Sequence, residues 1–167
     1  MIDRRGLLST AAGLAAGWFS FSGKARAEKA AGKKFEIEKT PEEWKRQLTP
    51  AQYHILREEG TEPAYSSPLN NEHRKGTFAC AGCDQALYAS ETKFESGTGW
   101  PSFYDHLPNA IGTTSDRSYF MVRTAVHCSR CGGHLGHVFN DGPKPTGLRY
   151  CMDGLALTFK PAAASAS

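Results

Sequence analysis

Five cysteines carry most of the chemistry open to this 167-residue chain, and they divide four and one. Cys80-Ala-Gly-Cys83 and Cys128-Ser-Arg-Cys131 are two C-x-x-C pairs. Each two-residue spacer forms a tight turn that aims both sulfurs at one point, and together they supply four thiolates for a structural, tetrahedral zinc ion, one per chain. Gly82, Gly132 and Gly133 beside them permit the sharp turns such knuckles need. The same thiols can instead close two disulfides, as an oxidising compartment favours. Cys151 is left over, in Leu148-Arg149-Tyr150-Cys151-Met152-Asp153. An isolated cysteine is most often a small buried apolar residue. An odd thiol next to Arg149 reads instead as a nucleophile whose thiolate the guanidinium would favour.

Two further segments supply groups for such a thiol. Gly133-His134-Leu135-Gly136-His137-Val138-Phe139-Asn140-Asp141 places two imidazoles three residues apart. With four thiolates already available to a metal, acid–base or substrate-orienting work suits His134 and His137 better than ligation. Asp141 and Asp153 are candidates to orient the imidazoles or bound water. Gly97-Thr98-Gly99-Trp100-Pro101-Ser102-Phe103 holds an indole between turn residues, where its face can line a surface pocket and take a small apolar group such as an S-methyl. His54, His73 and His106 read as surface residues, and His127 as a neighbour of the zinc cysteine Cys128.

The elements that must position these groups are mostly strands. Thr40-Pro41-Glu42-Glu43 and Thr49-Pro50-Ala51-Gln52 each read as a capping box with proline at the first helical position, so two short helices are expected over 41–60, the second ended by Gly60. After Pro63, Gly and Pro recur every few residues. Strand-like runs appear at Gly76-Thr-Phe-Ala, Tyr119-Phe-Met-Val-Arg-Thr and Leu155-Ala-Leu-Thr-Phe, which predicts antiparallel β structure rather than βαβ units.

The ends read differently. Arg4-Arg5, an uncharged run to Gly23 and Ala25-Arg26-Ala27 have the order of a secretory signal over residues 1–27, and the paired arginines resemble the twin-arginine type that exports folded proteins. A protein that folds before export can also take up zinc first. The expected organisation is a signal peptide at 1–27, a flexible leader at 28–39, one domain at 40–160 and a disordered tail at 161–167. Four of the 20 basic residues and one of the 17 acidic ones fall in the signal, so the rest of the chain balances to zero net charge. That balance gives no reason to expect nucleic acid. A mean hydropathy of −0.48 excludes a multi-span membrane protein, and nine Phe, six Tyr and three Trp exclude wholesale disorder. A basic zinc-ribbon binding module and a C-x-x-C thiol–disulfide oxidoreductase are the competing classes, and a lone Cys151 fits neither.

Ser96-Gly-Thr-Gly-Trp-Pro-Ser-Phe, Cys128-Ser-Arg-Cys-Gly-Gly-His-Leu-Gly-His-Val-Phe and Gly147-Leu-Arg-Tyr-Cys together resemble the type B methionine-R-sulfoxide reductases over roughly 40–160. The resemblance implies a mainly β fold of two antiparallel sheets with short N-terminal helices, and a distal zinc on Cys80, Cys83, Cys128 and Cys131. It implies Cys151 as nucleophile, His137 and His134 near the sulfoxide oxygen and Trp100 for the substrate methyl. Arg149 beside the thiol, and Phe139, Asp141 and Asp153 around the substrate, complete the candidate site read from the residues. It implies thiol-dependent reduction of methionine-R-sulfoxide, in proteins and as the free amino acid, through a Cys151 sulfenic acid. The partners it implies are oxidised exported proteins or peptides and an external, thioredoxin-like thiol donor. The twin-arginine machinery is the further partner expected, with a periplasmic monomer as the product. Two positions depart from the family pattern: Thr98 stands where many members carry a resolving cysteine, and Asp153 where asparagine is frequent.

Overall fold

The computed structural model describes residues 34–118 and 121–163. The signal reading at 1–27 therefore lies outside the described residues, as do residues 28–33 of the leader and the last four residues of the tail.

Helices α1 (Pro41–Gln47) and α2 (Pro50–Glu58) form where two capping boxes are written. Thr40 accepts the Glu43 N–H while Glu43 reaches back to the Thr40 N–H, and Thr49 and Gln52 repeat the exchange. The second helix ends one residue earlier than Gly60 suggests. Glu59 takes the left-handed conformation (φ 56°), and the Gly60 N–H donates to the His54 carbonyl at 3.0 Å.

Nine strands are present among the described residues: β1 (Gly76–Cys80), β2 (Ala86–Ala89), β3 (Lys93–Phe94), β4 (Ser102–Phe103), β5 (Ile111–Asp116), β6 (Arg123–Cys128), β7 (His134–Phe139), β8 (Arg149–Met152) and β9 (Leu157–Pro161). They pair antiparallel in two sheets, ordered β2-β1-β9 and β3-β4-β8-β7-β6-β5. The expected β-rich architecture is what is found. Two boundaries differ. Met121 and Val122 lie outside β6 and are exposed, at 50% and 78%. Leu155 and Ala156 belong to a 3-10 turn, Gly154–Ala156, rather than to β9. Both runs are apolar enough for a strand, but the sheet partner begins later.

The core that joins the sheets is aromatic. Phe103 of β4 stacks on Tyr88 of β2 at 4.4 Å between ring centroids and meets Phe78 of β1 edge-on at 4.9 Å. The buried Tyr88 hydroxyl points at the Met152 sulfur, 3.0 Å away. The helices close one end of this core. Trp44, Ile55 and Leu56 are buried, the Gln47 amide donates to the Gly82 carbonyl at 2.6 Å, and the Arg57 guanidinium donates to the Cys131 carbonyl at 3.0 Å. Each helix is thereby tied to one C-x-x-C turn. The segment before α1 reaches the second turn too, through an Ile37 N–H to the Arg130 carbonyl (3.0 Å) and Phe35 packed edge-on to His127.

One irregularity in the large sheet decides which side chains of β7 share a face. Between the pairs Val126–Gly136 and His127–His134, β7 carries one extra residue, Leu135. A bulge of this kind reverses the alternation of side chains beyond it, so residues three apart share a face. Gly136 sits in it at φ 144°, and a Cβ there would lie 2.2 Å from the Cys151 carbonyl oxygen.

Candidate active site and metal centre

Cys80 and Cys128 end β1 and β6, and Cys83 and Cys131 stand in the hairpin turns after those strands. The turns are closed by backbone hydrogen bonds, Asp84 N–H to Cys80 O (2.8 Å) and Gly132 N–H to Cys128 O (3.0 Å). The four sulfurs lie within 4.8 Å of one another. Sulfurs meet across the turns, Cys83 to Cys128 at 3.5 Å and Cys80 to Cys131 at 3.8 Å, well beyond a disulfide bond of about 2.05 Å. Three of the four are buried. Four cysteines are thus positioned for a metal ion, and the ion would bridge the small sheet to the large one.

Cys151 is not part of that cluster. It lies on β8, paired in register with His137 of β7 on one side and Ser102 of β4 on the other. Residues opposed in an antiparallel ladder put their side chains on the same face. The β7 bulge brings His134 round to that face as well, and its ring centroid is 5.3 Å from that of His137. The H-x-x-H spacing, which straight alternation would have split across the sheet, becomes a pair of imidazoles beside the thiol.

Hydroxyls surround the sulfur. Thr98 Oγ1 is 3.7 Å from Cys151 Sγ, Ser96 Oγ is 2.8 Å from Thr98 Oγ1 and 2.7 Å from Ser102 Oγ, and Ser102 donates to the Trp100 carbonyl at 3.1 Å. Burial pushes the Cys151 thiol above its ordinary value, against the opposing pull of the Thr98 hydrogen bond, of Arg149 and of Ser102. Arg149 acts in the expected direction, but burial outweighs it. The guanidinium is engaged elsewhere: it grips Asp141 with two hydrogen bonds of 2.8 Å and lies over the Phe139 ring at 4.4 Å.

The imidazoles are held differently. Burial lowers the His134 pKa to about 4, and its Nε2 has no partner among the described residues. His137 is also lowered by burial, but Asp116 resists, with Oδ2 2.9 Å from His137 Nε2. Asp116 itself is kept well below the usual carboxylate range by the Ser118 hydroxyl and N–H, then by His137 and Arg123, whose Nη2 donates at 2.7 Å. Asp141 and Asp153 orient neither ring. The carboxylate that orients His137 is Asp116, at the far end of β5, which nothing in its local sequence marks. Asp153 is buried instead against the loop after α2, accepting the Glu62 N–H at 3.0 Å. Glu62, equally unmarked, also accepts the Trp100 indole N–H on its carbonyl at 3.1 Å. Trp100 is half-buried, its loop held by Tyr65 and Asn70, which both donate to the Gly99 carbonyl.

Fold and site together define a two-sheet β protein that keeps a four-thiol centre apart from a single thiol faced by two neutral imidazoles. A SelR domain model matches residues 48–161. The "Peptide methionine sulfoxide reductase MsrB" of Methanosarcina barkeri is 57% identical over 125 residues, covering 74% of this chain and 88% of that protein. The proteins of the same name from Leptospira interrogans and Agrobacterium fabrum are 52% and 50% identical over 127 residues, each spanning 75% of this chain and 97% and 94% of their own lengths. The chain belongs to the MsrB family of peptide methionine sulfoxide reductases.

The Asp116 contact predicts a measurable effect on His137. Replacing it, Asp116→Asn, removes the anion that favours the imidazolium and should move the His137 pKa further down. Ring-proton NMR of the variant against pH reads this directly; an unchanged midpoint would show that the carboxylate does not act on the ring.

Proposed function

We propose that this chain reduces methionine-R-sulfoxide in oxidised proteins and peptides, and as the free amino acid, using Cys151 as nucleophile. The observation that carries this is the register of β8, which sets a lone thiol opposite His137 with the unpartnered Nε2 of His134 on the same face. The R preference comes from family membership.

Both the thiol and His137 favour their neutral forms, so neither nucleophile nor acid pre-exists. Transfer of the Cys151 proton to His137 creates the two together, and Asp116 steadies the resulting imidazolium. The Cys151 thiolate attacks the sulfoxide sulfur while His137 protonates the oxygen, with His134 as the second donor at that oxygen. The protonated oxygen then passes from the substrate sulfur to Cys151 Sγ as the S–S and S–O bonds at the substrate break. Substrate sulfur gains two electrons and leaves as methionine, and Cys151 loses them and becomes a sulfenic acid. Trp100 offers its face to the substrate methyl. The Arg149–Asp141 pair, with Phe139 beneath it, forms a rigid charged wall beside the thiol.

Zinc is the ion that fits the cysteine centre. Tetrahedral Zn–S bonds of about 2.3 Å require sulfurs about 3.8 Å apart, matching the 3.5 and 3.8 Å seen here. Zinc would supply a cross-link between the sheets rather than chemistry. Cys131→Ser should therefore lose the metal and several kcal/mol of stability, roughly the scale of a broken structural site. Metal content and melting temperature check it, and a folded, metal-free variant of normal stability would refute the role.

With those four sulfurs held by metal and Thr98 beside Cys151, the sulfenic acid has no internal thiol to attack it. It should wait for an external one, such as a thioredoxin-like protein, which forms a mixed disulfide with loss of water and then resolves it with a second thiol. One turnover without reductant should yield one methionine per chain and a Cys151 that a dimedone probe traps. Thr98→Cys should convert that product to an intrachain disulfide. A wild-type disulfide between Cys151 and any of the other four cysteines, formed at the catalytic rate, would overturn this route.

Export to the periplasm is part of the reading, supported by Arg4-Arg5 and Ala25-Arg26-Ala27. The intact mass of the protein recovered from its bacterial host should correspond to a start at Glu28. Retention of residues 1–27 would make the assignment wrong.

A further inference from the structure

Two buried carboxyl groups link the indole of Trp100 to the turn that leaves Cys151, and no cation accompanies them among the described residues. Glu62 is 4% exposed and Asp153 3%. Glu62 Oε1 accepts the Gly154 N–H at 2.5 Å, and Oε2 accepts the Leu155 N–H at 3.0 Å. Its own N–H donates to Asp153 Oδ1 at 3.0 Å, and its carbonyl takes the Trp100 indole N–H at 3.1 Å. One residue thus holds the ring, the carboxyl two positions after the nucleophile, and the first N–H groups of the turn behind it. The fit is close: a Cβ on Gly154 would stand 1.9 Å from Ser67 Oγ and 3.1 Å from Glu62 Oε1.

We infer that Glu62 and Asp153 form a buried pair carrying a single negative charge, on Glu62, and that this pair positions Trp100 against the Cys151 turn while Asp153 works as a neutral acid. Both oxygens of Glu62 face N–H donors, so the charge belongs there. A second carboxylate alongside has no compensation. The titratable group acting on Asp153 is Glu62, from the loop after α2, and Asp153 in turn acts on Cys151, near the end of the preceding strand. Ser67 brings a hydroxyl near the turn, and β7 only the Leu135 carbonyl, which accepts the Asp153 N–H at 2.8 Å. Among the described residues neither carboxyl has an ion-pair partner. Burial, with the Glu62 charge adding to it, raises the Asp153 pKa to about 7, partly offset by the Glu62 N–H. Below that point the residue is an uncharged side chain. Above it, a negative charge appears two residues from the sulfur and opposes the Cys151 thiolate. The aspartate makes the nucleophile of this chain sensitive to pH in the neutral range in a way an asparagine cannot.

The inference rests on Cys151 as nucleophile and Trp100 as substrate wall, and its test does not require activity. Carboxyl-carbon NMR of the whole chain should show Asp153 titrating near neutrality. In Glu62→Gln, which removes the neighbouring charge, that midpoint should fall, a change that a merely structural Glu62 would not produce. Asp153→Asn should remove the signal and alkylate at Cys151 severalfold faster than wild type above neutral pH, but at the same rate at acidic pH. Stability should track the same group. A carboxyl whose folded pKa is raised binds its proton more tightly when folded, so wild-type stability falls as pH rises from about 4 toward 7, and Asp153→Asn should flatten that fall. An Asp153 midpoint in the ordinary carboxylate range, or one indifferent to Glu62→Gln, overturns the pair; the wild-type titration alone decides should the variants not fold. A neutral-range midpoint in a protein inert toward methionine sulfoxide would instead overturn the proposed reaction and leave the pair standing.

Discussion

The extra residue in β7 is the constraint on which the site depends. Without Leu135 bulged between the pairs Val126–Gly136 and His127–His134, His134 and His137 would lie on opposite faces of the sheet. With it, both rings share the face of Cys151, because His137 is the cross-strand partner of Cys151. The bulge is tolerated only where β7 lacks a side chain at Gly136, since a Cβ there would strike the Cys151 backbone. The sequence Gly133-His-Leu-Gly-His is therefore one device. Its second glycine lets the strand kink, and the kink converts a three-residue spacing into a common face.

Burial then sets the electrostatics. A thiol and two imidazoles removed from water all prefer to be uncharged, so the resting face is neutral and every fixed charge around it is matched. Arg149 is consumed by Asp141, and Asp116 by Arg123, Ser118 and His137. The arginine next to the nucleophile in sequence is consequently a weaker influence on it than desolvation. A site arranged this way separates charge only when a substrate gives the proton somewhere to go, which suits a reaction whose leaving oxygen must be protonated.

What was legible in the sequence was local. The capping boxes at Thr40 and Thr49, the C-x-x-C turns and the apolar rhythm of β1 each depend on residues within four positions of one another, and each is found in the fold. The leftover Cys151 and the Trp100 loop were also visible, as an odd thiol and as a ring between turn residues. Glu59 takes the left-handed position that suits Gly60 by residue type, because the helix closes on the Gly60 N–H instead. Asp116 and Glu62 were invisible for a different reason. Each acts on a group far along the chain, Asp116 on His137 and Glu62 on Trp100, Asp153 and Gly154, and an acidic residue at a strand end or in a loop is by default a solvated one.

The two sets of thiols also divide the work that the proposed reaction requires. Sulfurs packed 3.5 to 3.8 Å apart are close enough to be oxidised to one another whenever the metal is absent. Bound to an ion they are withdrawn from redox exchange. That withdrawal would leave a protein with five cysteines presenting a single reactive one. It also leaves that one without help, for the position touching Cys151 is a threonine, whose hydroxyl can hold a proton for the sulfur but cannot form a disulfide with it. Burial that favours the thiol makes the resting sulfur a poor target for oxidants that attack thiolates, and a cycle through Cys151 of the kind proposed, having no internal exit, would be coupled to whatever thiol its surroundings supply.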